Sequence, residues 1–263
     1  MRALLIGLVL LFTPHVAAAG LSERDLARIT LSPPPNAALP LDLVLRDPDG
    51  RTVTLREAVD HRPALLLLSD FTCRTICGPA LVITSGALEE TGLRAGVDYG
   101  LIVVGLDPKD TRADAQAMFR QIGSPEVAAR SSVLTGDAAA IGALTAAVGY
   151  NFVYDAEVDQ FAHPAGVLVL TATGRISRIL SSLALNPRDL RLALVEAGDG
   201  RSGTIVDRLT LLCYGFDAVH GIYTPLIRRL LEAAALLTIF AMAAFVLLLQ
   251  RRSRRVSPRE SPR

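Results

Sequence analysis

The sequence predicts an α/β fold, a sheet with helices on both faces, followed by one C-terminal transmembrane helix. Three observations predict it. Short apolar runs, Ala64–Ser69, Gly100–Gly105 and Gly166–Leu170, are bounded by turn residues, as strands buried on both faces are. Between and around them lie stretches with apolar residues at helical spacing, 79–93, 113–122, 137–148 and 186–197, which places helices on both sides of the sheet. Finally, 230–249 is a 20-residue stretch whose one charge, Glu232, sits near its start, long enough to cross a bilayer.

Taken in order, 1–19 reads as a secretory signal. It has an early Arg2, an apolar run and Ala17-Ala18-Ala19 before the expected cleavage. Residues 20–40 read as an extended arm lying on the domain, because Pro33, Pro34 and Pro35 fix φ and restrict the residues before them. A hairpin follows, with Asp47-Pro48-Asp49-Gly50 as its turn, then a helical turn at 56–59 and the strand Ala64–Ser69. Pro79 suits the first turn of the next helix. The 137–148 helix starts at Asp137, a residue type that caps well. Short strands are expected at 132–134 and 152–154. Ala172-Thr173-Gly174 turns Gly166–Leu170 into a second hairpin strand.

Residues 201–229 form a connector whose Ile205, Leu209, Leu211 and Leu212 suit a helix resting on the bilayer or on a partner. The tail 250–263 is basic, and arginines flanking a membrane helix stay in the cytoplasm. The folded part is therefore expected on the periplasmic or extracytoplasmic side of the cell membrane, with the C-terminus inside.

That partition changes the charge balance. The whole chain carries +1; setting aside +5 in 251–263, +1 in 228–232 and +1 at Arg2 leaves −6 for the folded part. A moderately acidic exported domain argues against a nucleic-acid partner. The three cysteines cannot all pair internally, and Cys213 is the odd one out. A chain of this length buries an ordinary core without disulfide staples, so the cysteine pair points to reactivity or metal.

That pair is Cys73 and Cys77, in Asp70-Phe71-Thr72-Cys73-Arg74-Thr75-Ile76-Cys77-Gly78-Pro79. On a helix, residues four apart face the same way, with Cβ atoms roughly 5–6 Å apart. A slightly unwound first turn brings them within disulfide reach, and the same geometry lets both sulfurs bind one ion. A helix N-terminus favours the thiolate. Polar Thr72, Arg74 and Thr75 describe an exposed loop rather than a pair of buried structural cysteines. His163 precedes a strand expected beside the thiol-bearing one. Two thiolates and one imidazole suit copper in either oxidation state, and also zinc. A structural zinc site takes four protein ligands and an iron–sulfur cluster needs more thiols, so an open copper site fits this donor set better.

Four segments in order resemble the Sco/SenC family: Phe71-Thr72-Cys73-x-x-x-Cys77-x-Pro79, Asp107-Pro108-x-Asp110-Thr111, Leu134-Thr135-Gly136-Asp137, and His163 before a strand. The resemblance covers roughly 40–197 and implies a thioredoxin-like domain over 41–200. It implies a membrane-tethered protein that binds a copper ion through Cys73, Cys77 and His163, with Asp107 as a nearby acidic residue. It further implies support for assembly of the copper centre of cytochrome c oxidase, as copper donor, as thiol reductant, or both. The partner would be the oxidase's copper-bearing subunit or another copper protein. The chain departs from the family pattern in Gly78 before Pro79, in its C-terminal anchor, and in Pro164 after His163, where a cis bond is common in thioredoxin-like proteins.

Two other readings stand beside this one. In the first, Cys73 and Cys77 are the redox pair of a thiol–disulfide oxidoreductase or thiol peroxidase with no physiological metal, although dedicated oxidoreductases favour Cys-x-x-Cys. In the second, the chain is a copper or redox sensor acting through protein interaction, with Cys213 in its connector.

Overall fold

The structure, a computed structural model, describes residues 21–73 and 77–199, together with 214–217, 222–225, 235–240 and 242. The chain divides into two compact units, Met1–Ser202 and Gly203–Arg263.

In the first unit the arm is not simply extended. Ser22 caps a one-turn helix, α1 (Glu23–Leu26), by accepting from the Asp25 amide. The next residues, β1 (Thr30–Leu31), pair antiparallel with β7 (Tyr150–Asn151). Gly149 makes this closure possible. At φ +62° its carbonyl accepts from the Ser32 amide (2.9 Å), and a Cβ there would overlap the Ser32 carbonyl. A Pro-rich arm thus becomes part of the domain because a glycine lets two backbones approach.

The hairpin β2 (Val44–Arg46) and β3 (Thr52–Thr54) closes over Asp47, whose carboxyl accepts from the Asp49 and Arg51 amides (3.0 and 2.8 Å). Thr54 and Glu57 form a capping box that starts α2 (Leu55–Val59). Then come β4 (Ala64–Ser69), α3 (Cys77–Glu90) and β5 (Gly100–Gly105). A second capping box, Thr111 with Asp114, starts α4 (Arg112–Phe119). A short helix, α5 (Pro125–Ala128), precedes β6 (Ser131–Leu134). The expected Asp137 cap is present on α6 (Ala138–Ala147). β8 (Val153–Asp155) and β9 (Gln160–Ala162) form a hairpin where the sequence predicts one short strand and a loop. β10 (Gly166–Leu170) and β11 (Ile176–Ser181) pair antiparallel, and α7 (Pro187–Ala197) follows its Asn186 cap.

The main sheet runs β11-β10-β4-β5-β6. β4, β5 and β6 are parallel, while β10 is antiparallel to β4. Residues alternate between two buried faces. Leu66, Leu68, Ile102, Val104, Leu134, Leu168 and Leu170 pack with α2 and α6 in one cluster. On the other face Leu65, Leu67, Leu101, Val103, Val167 and Val169 are also buried, beneath α3, α4 and α7. This is the α/β arrangement with helices on both faces. Among the described residues no peptide bond is cis, so the bond before Pro164 is trans.

In the second unit Tyr214–Asp217 pairs antiparallel with Ile222–Pro225 as β12 and β13. The helical positions expected at Ile205, Leu209, Leu211 and Leu212 lie outside the described residues, as do Cys213 and the 1–19 signal. Within the 230–249 stretch, 235–240 and 242 are helical and exposed. Among the described residues no helix is long and apolar enough to cross a membrane.

Leu66 is fully buried in the centre of β4. Replacing it with alanine is expected to cost about 2–5 kcal/mol, read as a lower urea midpoint with unchanged slope.

Candidate metal and redox site

The strand directions decide which residues meet. β10 runs antiparallel to β4, with Val167 opposite Leu67 and Leu168 opposite Leu66. The residues just before β10 therefore stand beside those just after β4. This brings His163 to the loop that carries Cys73, although ninety positions separate them in the chain. Both residues line one cleft of ≈ 280 Å³, with Leu67, Phe161, Val158 and Leu183 among its walls. Ser69 also lines it; it is 2% exposed, and its hydroxyl has no hydrogen-bond partner among the described residues.

Cys73 is half-buried, and its amide donates to the Asp70 carbonyl (3.3 Å). Cys77 is the first residue of α3, a helix of 14 residues. The Cys77 side chain and residues 74–76 lie outside what is described. Among the described residues no three His, Cys, Asp or Glu side chains gather closely enough to hold a metal.

Asp70 organises the cleft. It is fully buried. Its Oδ1 accepts from the Thr72 amide (2.9 Å) and hydroxyl (2.8 Å), bending the chain directly before Cys73. Its Oδ2 accepts from the Phe161 amide (2.8 Å) on β9. One carboxyl thus ties the thiol loop to the hairpin that leads into His163. The sequence reading did not single out Asp70. The available signal was Asp-x-Thr directly after a buried strand, which is how an Asx turn reads.

Tyr150 holds the imidazole from behind. Its hydroxyl lies 2.8 Å from His163 Nδ1, 2.9 Å from the Pro164 carbonyl and 3.3 Å from the Leu68 carbonyl. His163 Nδ1 is also 3.1 Å from the Pro164 carbonyl. Donation from Tyr150 to a carbonyl and from Nδ1–H to the oxygens around it satisfies every group. That tautomer places the lone pair on Nε2, the form a metal-binding histidine needs. Burial lowers the His163 pKa, opposed by the Pro164 carbonyl and Asp70, so the ring is neutral at neutral pH. Tyr150 also escaped the sequence reading, since nothing local distinguishes it from a core aromatic.

Asp107 sits at the end of β5, where its Oδ1 accepts from the Lys109 amide (2.8 Å) and Oδ2 lies 3.9 Å from Lys109 Nζ. It is a buried turn residue and is not among the residues that line the cleft. Lys109 reaches across to Asp159 (3.4 Å) and lies 5.3 Å from the centre of the Tyr154 ring. These contacts tie the β5 turn to the β8–β9 hairpin.

No protein-family model matches this sequence, and no curated protein does. Solved structures do match. A candidate electron transfer protein from Aquifex aeolicus VF5 aligns with TM-score 0.56 at 22% identity, over 63% of this chain and 95% of that one. A SCO1/SenC family lipoprotein from Bacillus anthracis str. Ames gives 0.53 at 15%, over 64% and 99%. BsSco, a member of the Sco family of cytochrome c oxidase assembly proteins, gives 0.51 at 19%, over 64% and 96%. At these identities the likeness is one of fold. The fold that the Sco/SenC resemblance implies is the fold observed.

Asp70→Ala leaves the Phe161 and Thr72 amides without their acceptor. It is expected to destabilise the protein by about 2–3 kcal/mol and to speed hydrogen exchange at Phe161 and its β8–β9 neighbours. Tyr150→Phe is expected to cost about 1 kcal/mol and to shift the His163 tautomer balance, read from ring-nitrogen chemical shifts.

Proposed function

We propose that this chain is a membrane-anchored, extracytoplasmic copper-binding protein of Sco/SenC type. In this reading it delivers copper to the copper-bearing subunit of cytochrome c oxidase or another copper protein, or reduces that client's thiols. The observation that carries the reading is the convergence of Cys73 and His163, from distant parts of the chain, on one cleft that Ala80 of α3 also lines.

The residues fit the cargo. Cys73, Cys77 and His163 would hold copper, and soft thiolates with a neutral imidazole are the donor set that copper takes. Tyr150 holds the ring at Nδ1. Asp70 sets the bend that presents Cys73. The helix N-terminus at Cys77 stabilises a thiolate whether the sulfurs hold metal or pass electrons. The two uses exclude each other at any moment, because a Cys73–Cys77 disulfide has no thiolate to offer. Anchoring by 230–249, export by 1–19 and a cytoplasmic tail complete the reading and rest on the sequence pattern.

The test is a copper titration of the purified full-length protein in detergent, reduced against oxidised. One copper per chain is expected, in the reduced form only; no binding in either state rejects the reading. Cys73→Ser is expected to abolish tight binding, and His163→Ala to weaken it markedly with little change in disulfide potential. Unchanged metal affinity in His163→Ala would favour a thiol–disulfide oxidoreductase instead.

A further inference from the structure

One buried acid behind the thiol loop has no part in the cleft. Asp110 closes the turn after β5, its amide donating to the Asp107 carbonyl (3.0 Å). Its carboxyl points inward, and both oxygens are buried with no hydrogen-bond partner among the described residues. The space exists because residue 105 is glycine. A Cβ there would overlap Asp110 Oδ2 and stand 3.2 Å from Phe71 Cε2. The acid therefore lies against the last residue of β5 and beside the ring of Phe71, two positions before Cys73.

The charges that raise its pKa are acids, Asp107 in its own turn, Asp70 after β4 and Asp114 on α4, and Arg46 and Asp137 line the same open pocket as Asp110. Lys109 turns away to Asp107 and Asp159. The Asp107 amide faces the carboxyl without meeting hydrogen-bond geometry and pulls only weakly the other way. A lone carboxyl without donors in such a place keeps its proton. Burial first, then the neighbouring acids, push its pKa up to about 8. Buried polar groups are nearly always satisfied, and an exception beside a reactive site calls for a role.

We propose that Asp110 is the proton-holding residue of the dithiol loop, binding a proton as Cys73 and Cys77 become negative and releasing it as they form a disulfide. This rests on the reading of those two sulfurs given above. Reduction by a small dithiol moves one electron pair. The Cys73–Cys77 bond breaks, the reductant's own disulfide forms, and the reductant gives up two protons. Where Asp110 is partly ionised against a neutral disulfide, the two new thiolates raise its proton affinity. It takes up part of one proton, and the remainder goes to the thiolates or to solvent.

The test equilibrates the full-length protein in detergent with fixed ratios of reduced and oxidised dithiothreitol from pH 6 to 9.5, reading alkylated Cys73 and Cys77 by mass. Asp110→Asn keeps the shape and removes the ionisation. Between pH 7 and 9 the equilibrium constant for reduction is expected to shift against the reduced form by about threefold more per pH unit in the wild type than in Asp110→Asn, the effect of about half a proton. Superimposable curves with an intact reversible disulfide would overturn this inference alone. Absence of a reversible disulfide in both proteins would overturn it together with the reading of the loop.

Stability gives a second readout that does not depend on the sulfurs. The folded-state pKa of Asp110 lies above the ordinary 3.8. The stability it contributes is therefore whole below about pH 4 and lost as pH rises towards 8. The urea midpoint of Asp110→Asn should gain on that of the wild type from pH 5 to pH 8. A constant gap would show that the acid is ionised throughout and would overturn the inference.

Discussion

The cleft depends on one buried carboxyl. Asp70 follows a strand that is apolar along nearly its whole length and carries no exposed atom of its own. Three donors, two from Thr72 and one from Phe161, converge on its two oxygens. Such a group is tolerated inside a protein only when its lone pairs are used. The three bonds therefore set two things together, the bend that lifts the chain towards Cys73 and the position of the hairpin before His163. Neither the loop nor the hairpin has an extensive core of its own. The β8–β9 strands are three residues each and half-buried or exposed, and an isolated two-stranded hairpin is marginal in water. Docking through Phe161, together with its contacts to Phe152 and Tyr154, gives this hairpin a fixed place.

The sheet supplies the frame on which that carboxyl acts. β4 and β5 are buried on both faces, so their ends are held in register by the core on either side. Loops at the C-terminal ends of such strands are where open α/β sheets place their chemistry. Here the end of β4 carries Asp70 and Cys73, the end of β5 carries Asp107 and Asp110, and the antiparallel β10 brings His163 to the same edge. Exposed apolar side chains rim the cleft there, including Val158 at 60% and Leu183 at 42% exposure.

Much of this was legible in the sequence, for physical reasons. Strands buried on both faces have to be apolar without interruption, so β4, β5 and β10 announce themselves. Capping residues act locally, so Asp137 and the start of the last helix read directly. Cys73 and His163 stand out by residue type, and the strand order brings both to one cleft. The pairings β1–β7 and β8–β9 were not legible, because they join short polar segments whose partners are chosen by the rest of the fold. Asp70 and Tyr150 escaped for the same reason, and Asp110, although part of a segment that carries the family resemblance, escaped in its role. Each has a role defined by what surrounds it in space, and neither composition nor spacing records that. The Pro-rich arm misled in one respect, since prolines forbid helix only where they stand, and the residues before Pro33 make both a helical turn and a strand.

Three acids gather at one edge of the sheet and are treated differently, and the difference follows from their donors. Asp70 has three, and Asp107 has the amide and ammonium of Lys109. Among the described residues Asp110 has none in hydrogen-bond geometry, and the Asp107 amide pulls on it only weakly. The glycine at 105 costs strand stability, and what it gains is room for an acid without partners. Asparagine or serine in the same turn would keep the backbone bond that closes it without the burden of a displaced ionisation. In the function proposed for Cys73 and Cys77, an acid that is partly ionised behind their loop is useful in one respect that those residues are not. It can change its charge when they change theirs, so that the net charge behind the loop varies less than the chemistry in front of it. In the proposed function that compensation would serve metal holding and electron transfer equally, since both begin from the same pair of thiolates.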